Sequence, residues 1–340
     1  MAIAQTETQR ASRARRLAPG DLDAVVAIDA TITGRSRRSY FERRLEAALA
    51  RPVLHLQHAV TCGEELSGYV LARKLAGEFG RNEPALRLEV IGVKPGVQGQ
   101  GIGSLLLAAL EADAHSSGIT QLLTQTAWRD HGMLEFLDHA GFELARSVVV
   151  DCEVHAGPLG ATEDVSVAAP AHLQVSGETD YSAGPANDFE ALARDVADVR
   201  SLARGDVPGI VRIDTRLTGR NREEYIGQLV DEAMSNSAVR VSLTARVDGI
   251  VAGFMMARTD FGDFGRSEPV AVLDTIGVDP DYAHHGVGSA LLSQLFVNLQ
   301  ALHVERLETI VSRQDFGLLG FLYSAGFAPS QRLEFLKQLN

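Results

Sequence analysis

Apolar residues recur at helical spacing behind Asp21, at Val25 and Ile28, and behind Asp206, at Val211. Both aspartates stand where a helix N-cap is expected, and Pro208 falls in a first turn, where a missing N–H matters little. A second helix is expected from about Arg37 to Leu49. The pattern then changes to strands. "VRVSLTARV" and "IVAGFMMA" read as two strands separated by a turn at Asp248 and Gly249. "ALRLEVIGV" and "VAVLDTIGV" are apolar enough to be central strands. Each is followed by a short loop and an apolar helix, which in the first case runs to about Ser117. A further strand, a helix around Leu134 to Ala140, and the strands "SVVVDCEV" and "RLEFLKQL" follow, the last two expected to complete their own units.

These elements occur twice. Shifting the chain by 185 residues aligns Leu17 to Phe142 with the later part without a gap, and about a third of the aligned positions are identical. "GEFGRNEPALRLEVIGVKP" lies over "GDFGRSEPVAVLDTIGVDP", and "MLEFLDHAGF" over "LLGFLYSAGF". That period is too long for a solenoid repeat and points to duplication of a whole domain. The expected organisation is a flexible basic tail over 1–16, a first domain over 17–155, a linker over 156–199 and a second domain over 200–340. Ala156 to Glu190 carries six acidic residues, three prolines, four glycines and no Lys or Arg, a composition suited to a linker. "LQVS" at Leu173 is a short strand candidate within it.

Composition narrows the partners. The 340 residues carry a formal net charge of −12, which argues against nucleic acid as the main partner, since phosphate binding wants a basic face. That charge is compatible both with a cationic substrate and with simple solubility. No apolar run reaches the ~20 residues of a membrane helix, and the N-terminus lacks a secretory h-region. Cys62 and Cys152 form no disulfide framework and suit a reducing, cytoplasmic setting. Neither cysteine carries more weight than that of a small core residue. No metal is expected.

The candidate chemistry lies in "GVKPGVQGQGIGSLLLAAL", from Gly92 to Leu110, and its partner "GVDPDYAHHGVGSALLSQL" from Gly277. A central strand, a glycine-rich loop and a helix aim main-chain N–H groups and a helix N-terminus at one point. That arrangement attracts phosphate. The alternative is a tight strand–helix turn with glycines for packing. A P-loop lysine is absent. The dinucleotide fingerprint GxGxxG starts at Gly99 and Gly101 but has Ser104 in place of the third glycine, and the second copy opens it with His284.

The wider pattern Val93-x-Pro95-x-x-Gln98-Gly99-x-Gly101-x-Gly103, with a later helix closing in "AGF" at Ala140 and again at Ala325, resembles the GNAT superfamily of acyl-CoA-dependent N-acetyltransferases. The resemblance covers nearly all of each copy. It implies an α/β fold: two tandem domains, each a mixed, mostly antiparallel sheet flanked by helices, with a splayed central strand. It implies acetyl-CoA as acyl donor and transfer of acetyl to a primary amine by direct attack in a ternary complex. Ile91 to Val93 and Ile276 to Val278 would offer strand backbone to pantetheine. Gln98, Gly99, Gly101, Gly103 and Ser104 would hold the pyrophosphate. Their second-copy counterparts are Ala283, His284, Gly286, Gly288 and Ser289, where Ala283 replaces the usual Gln or Arg. Asp130 and Asp315 stand where the family often has a cofactor-side Asn.

An amine of pKa near 10.4 is mostly protonated at neutral pH, so a general base is useful. Glu89 and its counterpart Asp274 are candidates, with a salt-bridged structural acid as the alternative; alternation along the strand would put Glu89, Ile91 and Val93 on one side. The family's usual tyrosine acid falls on Leu137 and Leu322, so it is missing from both copies, and Tyr323 and His131 are weak substitutes. On the acceptor side, Arg35 and Tyr40, Arg220 and Tyr225, and the "FGRxEP" residues Phe79, Arg81 and Glu83 with Phe264, Arg266 and Glu268 either select substrate or form duplicated packing and ion pairs. Trp128 is read as core or pocket wall. The acceptor is open between small-molecule and protein amines, and the oligomeric state is open. A non-catalytic acyl-CoA-binding or interaction module is the rival reading, and a nicotinamide-dependent oxidoreductase a remote third.

Overall fold

The computed structural model describes residues 13–76, 83–154, 196–235, 241–260, 263–265 and 270–339. The chain opens on β1 (Arg13–Arg16), followed by helices α1 (Leu22–Thr33) and α2 (Arg38–Ala50). Strands β2 (His55–Cys62), β3 (Glu65–Leu75) and β4 (Ala85–Val93) then form an antiparallel meander. Helix α3 (Ile102–Ser116) crosses to β5 (Gln121–Ala127), parallel to β4, and α4 (His131–His139) leads to β6 (Glu143–Leu144) and β7 (Ser147–Glu153). The second copy repeats the order: β8 (Asp198–Ser201), α5 (Val207–Thr218), α6 (Glu223–Ser235), β9 (Leu243–Val247), β10 (Ile250–Asp260), β11 (Val270–Val278), α7 (Val287–Ala301), β12 (Arg306–Ser312), α8 (Phe316–Ser324), β13 (Ala328–Pro329) and β14 (Arg332–Gln338).

The two seven-stranded sheets run β1-β2-β3-β4-β5-β14-β6 and β13-β7-β12-β11-β10-β9-β8. The closing strands are therefore exchanged, against the expectation that each completes its own unit. β14, from the second copy, lies antiparallel on β5, with Phe335 opposite Thr124; β7, from the first, lies on β12, with Val150 opposite Thr309. These strands carry apolar residues that need a core to enter, and either sheet satisfies that demand. Phe335 and Leu339 enter the first copy's core beside Leu106, Leu110 and Leu137, while Val150 and Cys152 enter the second copy's. Burial pushes the Cys152 thiol up to about 12, as an inert core residue requires. The two copies follow one another in the sequence, whereas each sheet draws on strands from both.

Two edges of the expected organisation also shift. Arg13 to Arg16 form an edge strand on β2 rather than a flexible tail, because Ala14 packs on the core, Arg15 holds Asp21 at 2.6 Å and Arg16 holds Asp113 at 3.0 Å. Asp198 and Val199 belong to β8 rather than to the linker; Leu173 lies outside the described residues. Asp21 and Asp206 do stand before α1 and α5, but their carboxylates close the preceding turn, accepting from Ala18 N at 2.8 Å and Ala203 N at 2.9 Å. Among the described residues no helix is long and apolar enough to cross a membrane, and no acidic, His or Cys group is clustered for a metal ion.

Candidate active site

The central strand parts from its parallel neighbour in both copies. β4 and β5 pair only at Leu86↔Leu122 and Arg87↔Leu123, and β11 and β12 only from Val270↔Arg306 to Val272↔Glu308. Beyond these rungs, Ile91 to Val93 and Ile276 to Val278 pair with no strand on that edge among the described residues. On the other edge each strand carries a bulge. Glu89 is skipped between Leu71↔Val90 and Ala72↔Leu88, and Asp274 between Met256↔Thr275 and Ala257↔Leu273. A bulge resets alternation. Glu89 consequently faces α2, through Arg44, while Ile91 and Val93 pack toward α3. The expectation that the three share one side is overturned for that reason.

At the end of each parted strand lies the glycine loop. Gly99 and Gly101 have φ of +75° and +82°, with open space where a Cβ would stand. Gly101 occupies the N-cap of α3, and no side chain caps that helix. Gln98 donates its amide to the Val93 carbonyl at 3.1 Å, bracing the loop against the strand. Gly103 meets the Phe136 ring at 2.8 Å from a would-be Cβ, so it is glycine for packing, and Ser104 is exposed on the first turn. In the second copy His284 holds the left-handed conformation at φ +63°, a position better suited to glycine. Gly286 caps α7, again without a side-chain cap, but Val196 lies 3.5 Å from where its Cβ would be. Gly288 and Ser289 are half-buried, Gly288 against Phe321. The next helices are different: Asp130 caps α4 by accepting from Met133 N at 3.1 Å, and Asp315 caps α8 by accepting from Leu318 N at 3.0 Å. Those carboxylates serve their own helices.

Behind the parted strands the copies meet in a buried charge cluster. Glu89 is 1% exposed; one carboxylate oxygen accepts from Arg44 and the other from Arg87 Nη2 at 2.9 Å. Arg87 Nη1 also lies 3.9 Å from Asp274, which Arg258 Nε holds at 3.1 Å. Arg258 bonds Asp263 at 3.1 Å, and Asp263 accepts from the Tyr40 hydroxyl. Arg73 reaches across to Glu232 at 2.6 Å, and His55 bridges Arg44 and Glu232, each at 3.1 Å. Four arginines thus face four carboxylates.

Burial raises the carboxyl of Asp263, but Arg258, Arg44 and Arg87 outweigh it and hold the group well below the usual carboxylate range. Burial likewise opposes ionisation of Glu232, and Arg73 with the His55 hydrogen bond overcomes it. Burial lowers the His55 imidazole, more than its bond to Glu232 raises it.

The acceptor-side residues divide. Tyr40 is buried and ties the copies together through Asp263, with Arg37 5.4 Å from its ring. Tyr225 is half-buried, and Arg35 and Arg220 are exposed. The less exposed arginines of those segments are Arg37, buried, and Arg222, half-buried, each bonded to a carboxylate eight residues earlier, Asp29 or Asp214. Phe264, at φ +57°, stacks under Arg332 at 5.6 Å; Phe79, Arg81, Arg266 and Glu268 lie outside the described residues. Leu137 and Leu322 are fully buried core residues, whereas Tyr323 and His131 are exposed. Trp128 is 46% exposed, not core, with Arg129 5.2 Å from its ring. Sequence reasoning missed Arg44, Arg87, Glu232 and Asp263; the counterparts of the first three 185 residues away are Leu229, Val272 and Ala47, so the repeat marked only part of the cluster, through Arg73 with Arg258, Glu89 with Asp274 and Glu78 with Asp263.

Likeness to solved structures follows the same architecture. A tandem GNAT protein from the clavulanic acid biosynthesis pathway is 16% identical, over 97% of this chain and 99% of that one, with a TM-score of 0.61. A GCN5-related glucosamine N-acetyltransferase region of a fungal multi-domain GH3 β-N-acetylglucosaminidase is 13% identical, over 96% of this chain and 38% of that one, at 0.60. A GCN5-related N-acetyltransferase from Sphaerobacter thermophilus is 15% identical, over 97% and 96%, at 0.57. At these identities the likeness speaks for the fold. No curated protein matches the chain. The model of the acetyltransferase (GNAT) family matches twice, at residues 25–142 and 210–327. The chain is therefore a member of the GNAT acetyltransferase family, built from two tandem copies of that domain.

Proposed function

We propose that the protein transfers the acetyl group of acetyl-CoA to a primary amine by direct attack, with the first copy as the principal cofactor site. Acetyl-CoA-dependent acetyl transfer is the general activity of the family. The observation that carries the reading is the N-terminus of α3, which no side chain caps, preceded by two left-handed glycines with, among the described residues, nothing within 4 Å of where a Cβ would stand. Uncapped N–H groups and a helix dipole stabilise an anion, by roughly 0.3–2 kcal/mol for each favourable placement. Gln98, Gly99, Gly101, Gly103 and Ser104 would hold the pyrophosphate, and Ile91 and Val93 the pantetheine arm. In the second copy Ile276, Val278, His284, Gly286, Gly288 and Ser289 hold the same relative places, but Val196 stands beside Gly286, so weaker binding is expected. When bound, the cofactor supplies a thioester carbonyl open to attack.

For proton transfer, Glu89 is poorly disposed: it is buried, and both oxygens accept from guanidinium groups. Asp274 is better exposed, with its side chain 20% accessible, yet Arg258 holds it. We therefore assign proton removal from the amine, and return to the leaving thiolate, to water, with Leu137 and Leu322 excluded from both roles by their side chains. These same features favour a second reading, an acyl-CoA-binding module without turnover.

Calorimetric titration with acetyl-CoA, followed by thiol release across a panel of small amines and peptides, decides between them. One strong site with turnover supports the proposal. Binding without thiol release on any amine supports the second reading, and absence of binding removes both.

A further inference from the structure

The last main-chain rung between β4 and β5 joins Arg87 to Leu123. At the next pair the hydroxyl of Thr124 takes over, donating to the Leu88 carbonyl at 3.0 Å. In the second copy the ladder stops at Val272↔Glu308, and the hydroxyl of Thr309 donates to the Leu273 carbonyl at 2.9 Å. Thr124 and Thr309 are 185 residues apart, and they are 5% and 0% exposed. The bulge on the opposite edge falls one residue later, at Glu89 and Asp274. Each central strand is thus bent from one edge and tethered at the other within two residues.

We infer that Thr124 and Thr309 are positioning residues that set the point where the central strand parts, and so which main-chain groups remain free for the amides of an acyl-CoA arm. Neighbouring strands joined by main-chain rungs lie about 4.8 Å apart, and one such rung aligns the next. A side-chain hydroxyl reaches farther than an N–H. It satisfies a buried carbonyl, which must be bonded somewhere, without drawing the strands to ladder spacing. The ladder therefore ends at the threonine, and among the described residues no strand pairs with that edge from Glu89 onward. Valine has the shape of threonine but no donor; serine keeps the donor. The same device at the same offset in both copies, despite a third of aligned positions being identical overall, ties it to the fork rather than to one copy's packing.

The inference rests on the reading that the first copy binds acetyl-CoA along this strand, and two measurements on the full chain keep the two apart. The first is amide hydrogen exchange of the free protein. Thr124→Val is expected to change exchange by about tenfold at amides flanking the fork, and Thr124→Ser to leave it as in the wild type. The second is calorimetric affinity for acetyl-CoA and for ADP, which carries the pyrophosphate but no pantetheine arm. Thr124→Val is expected to weaken acetyl-CoA by about five- to tenfold, the worth of one hydrogen bond, while ADP affinity stays unchanged and Thr124→Ser restores both. Unchanged exchange and affinity in Thr124→Val overturn the inference, as does equal weakening of both ligands, which indicates a general packing role. If the wild-type chain fails to bind acetyl-CoA while exchange at the fork still responds, the functional reading falls and the fork-setting role stands. Should Thr124→Val not fold, Thr309→Val carries the exchange measurement in the second copy.

Discussion

Arg87 of the first copy lies 3.9 Å from Asp274 of the second, while its other terminal nitrogen holds Glu89 at 2.9 Å. The two carboxylates on the central strands are therefore neighbours across the junction of the copies, and a guanidinium separates them.

Replacing Glu89 by Gln removes the carboxylate to which both Arg44 and Arg87 donate hydrogen bonds. Breaking a buried pair from one side costs about 3–5 kcal/mol, so the unfolding free energy from urea titration is expected to fall by that order. The acidic limb of the pH–rate profile should persist in the folded fraction. A variant as stable as the wild type whose acidic limb has vanished returns Glu89 to the role of base.

The exchange of closing strands makes the first copy's core depend on the chain's end. Phe335→Ala is expected to cost about 3–5 kcal/mol, as large-to-small core changes do. Hydrogen exchange should then accelerate in β5 and α3, in the first copy, rather than in the second. Loss confined to the second copy contradicts the exchanged topology.

The charge cluster gives a direction with pH. Asp263 and Glu232 have depressed folded-state pKa values, so their contribution is complete above the unfolded values and declines as pH falls through the folded ones. His55 is also depressed, favouring its neutral form, so folding loses support as pH drops below the ordinary imidazole value near 6.5. All three act in the same sense. Urea midpoints are expected to drop from pH 7 to pH 5, through His55, and further below pH 4, through the carboxylates. A His55→Gln variant should flatten the upper step and leave the lower one.

The two glycine loops should respond unequally. An alanine at Gly101 or Gly286 meets a left-handed backbone, which costs an L-residue about 1–2 kcal/mol. Gly101→Ala is expected to weaken acetyl-CoA by at least about tenfold, while Gly286→Ala changes the strong site little. Equal losses in calorimetry would indicate two equivalent sites.

Reading the sequence located the loops because they are local: glycines, strand and helix stand within 20 residues of one another, and their geometry is fixed by the main chain. It also located Glu89 and Asp274 but misjudged their surroundings. Alternation failed at the bulge, which arises from pairing with a strand distant in the sequence. Thr124 and Thr309 were visible as an identity at the repeat offset, yet their role depends on where a ladder ends. Arg44 and Arg87 had no repeat signal, since their counterparts are Leu229 and Val272 and the cluster they enter forms between unlike copies.

The sequence by itself determined the duplication, the order of elements and the strand–loop–helix turns, because periodicity, capping positions and glycines act over a few residues. Only the tertiary structure decided which sheet each closing strand joins, because a strand's pattern specifies a buried face and not its neighbour. The same holds for the charges: a carboxylate's role is set by the guanidinium groups the fold brings to it, here Arg44 and Arg87 around Glu89.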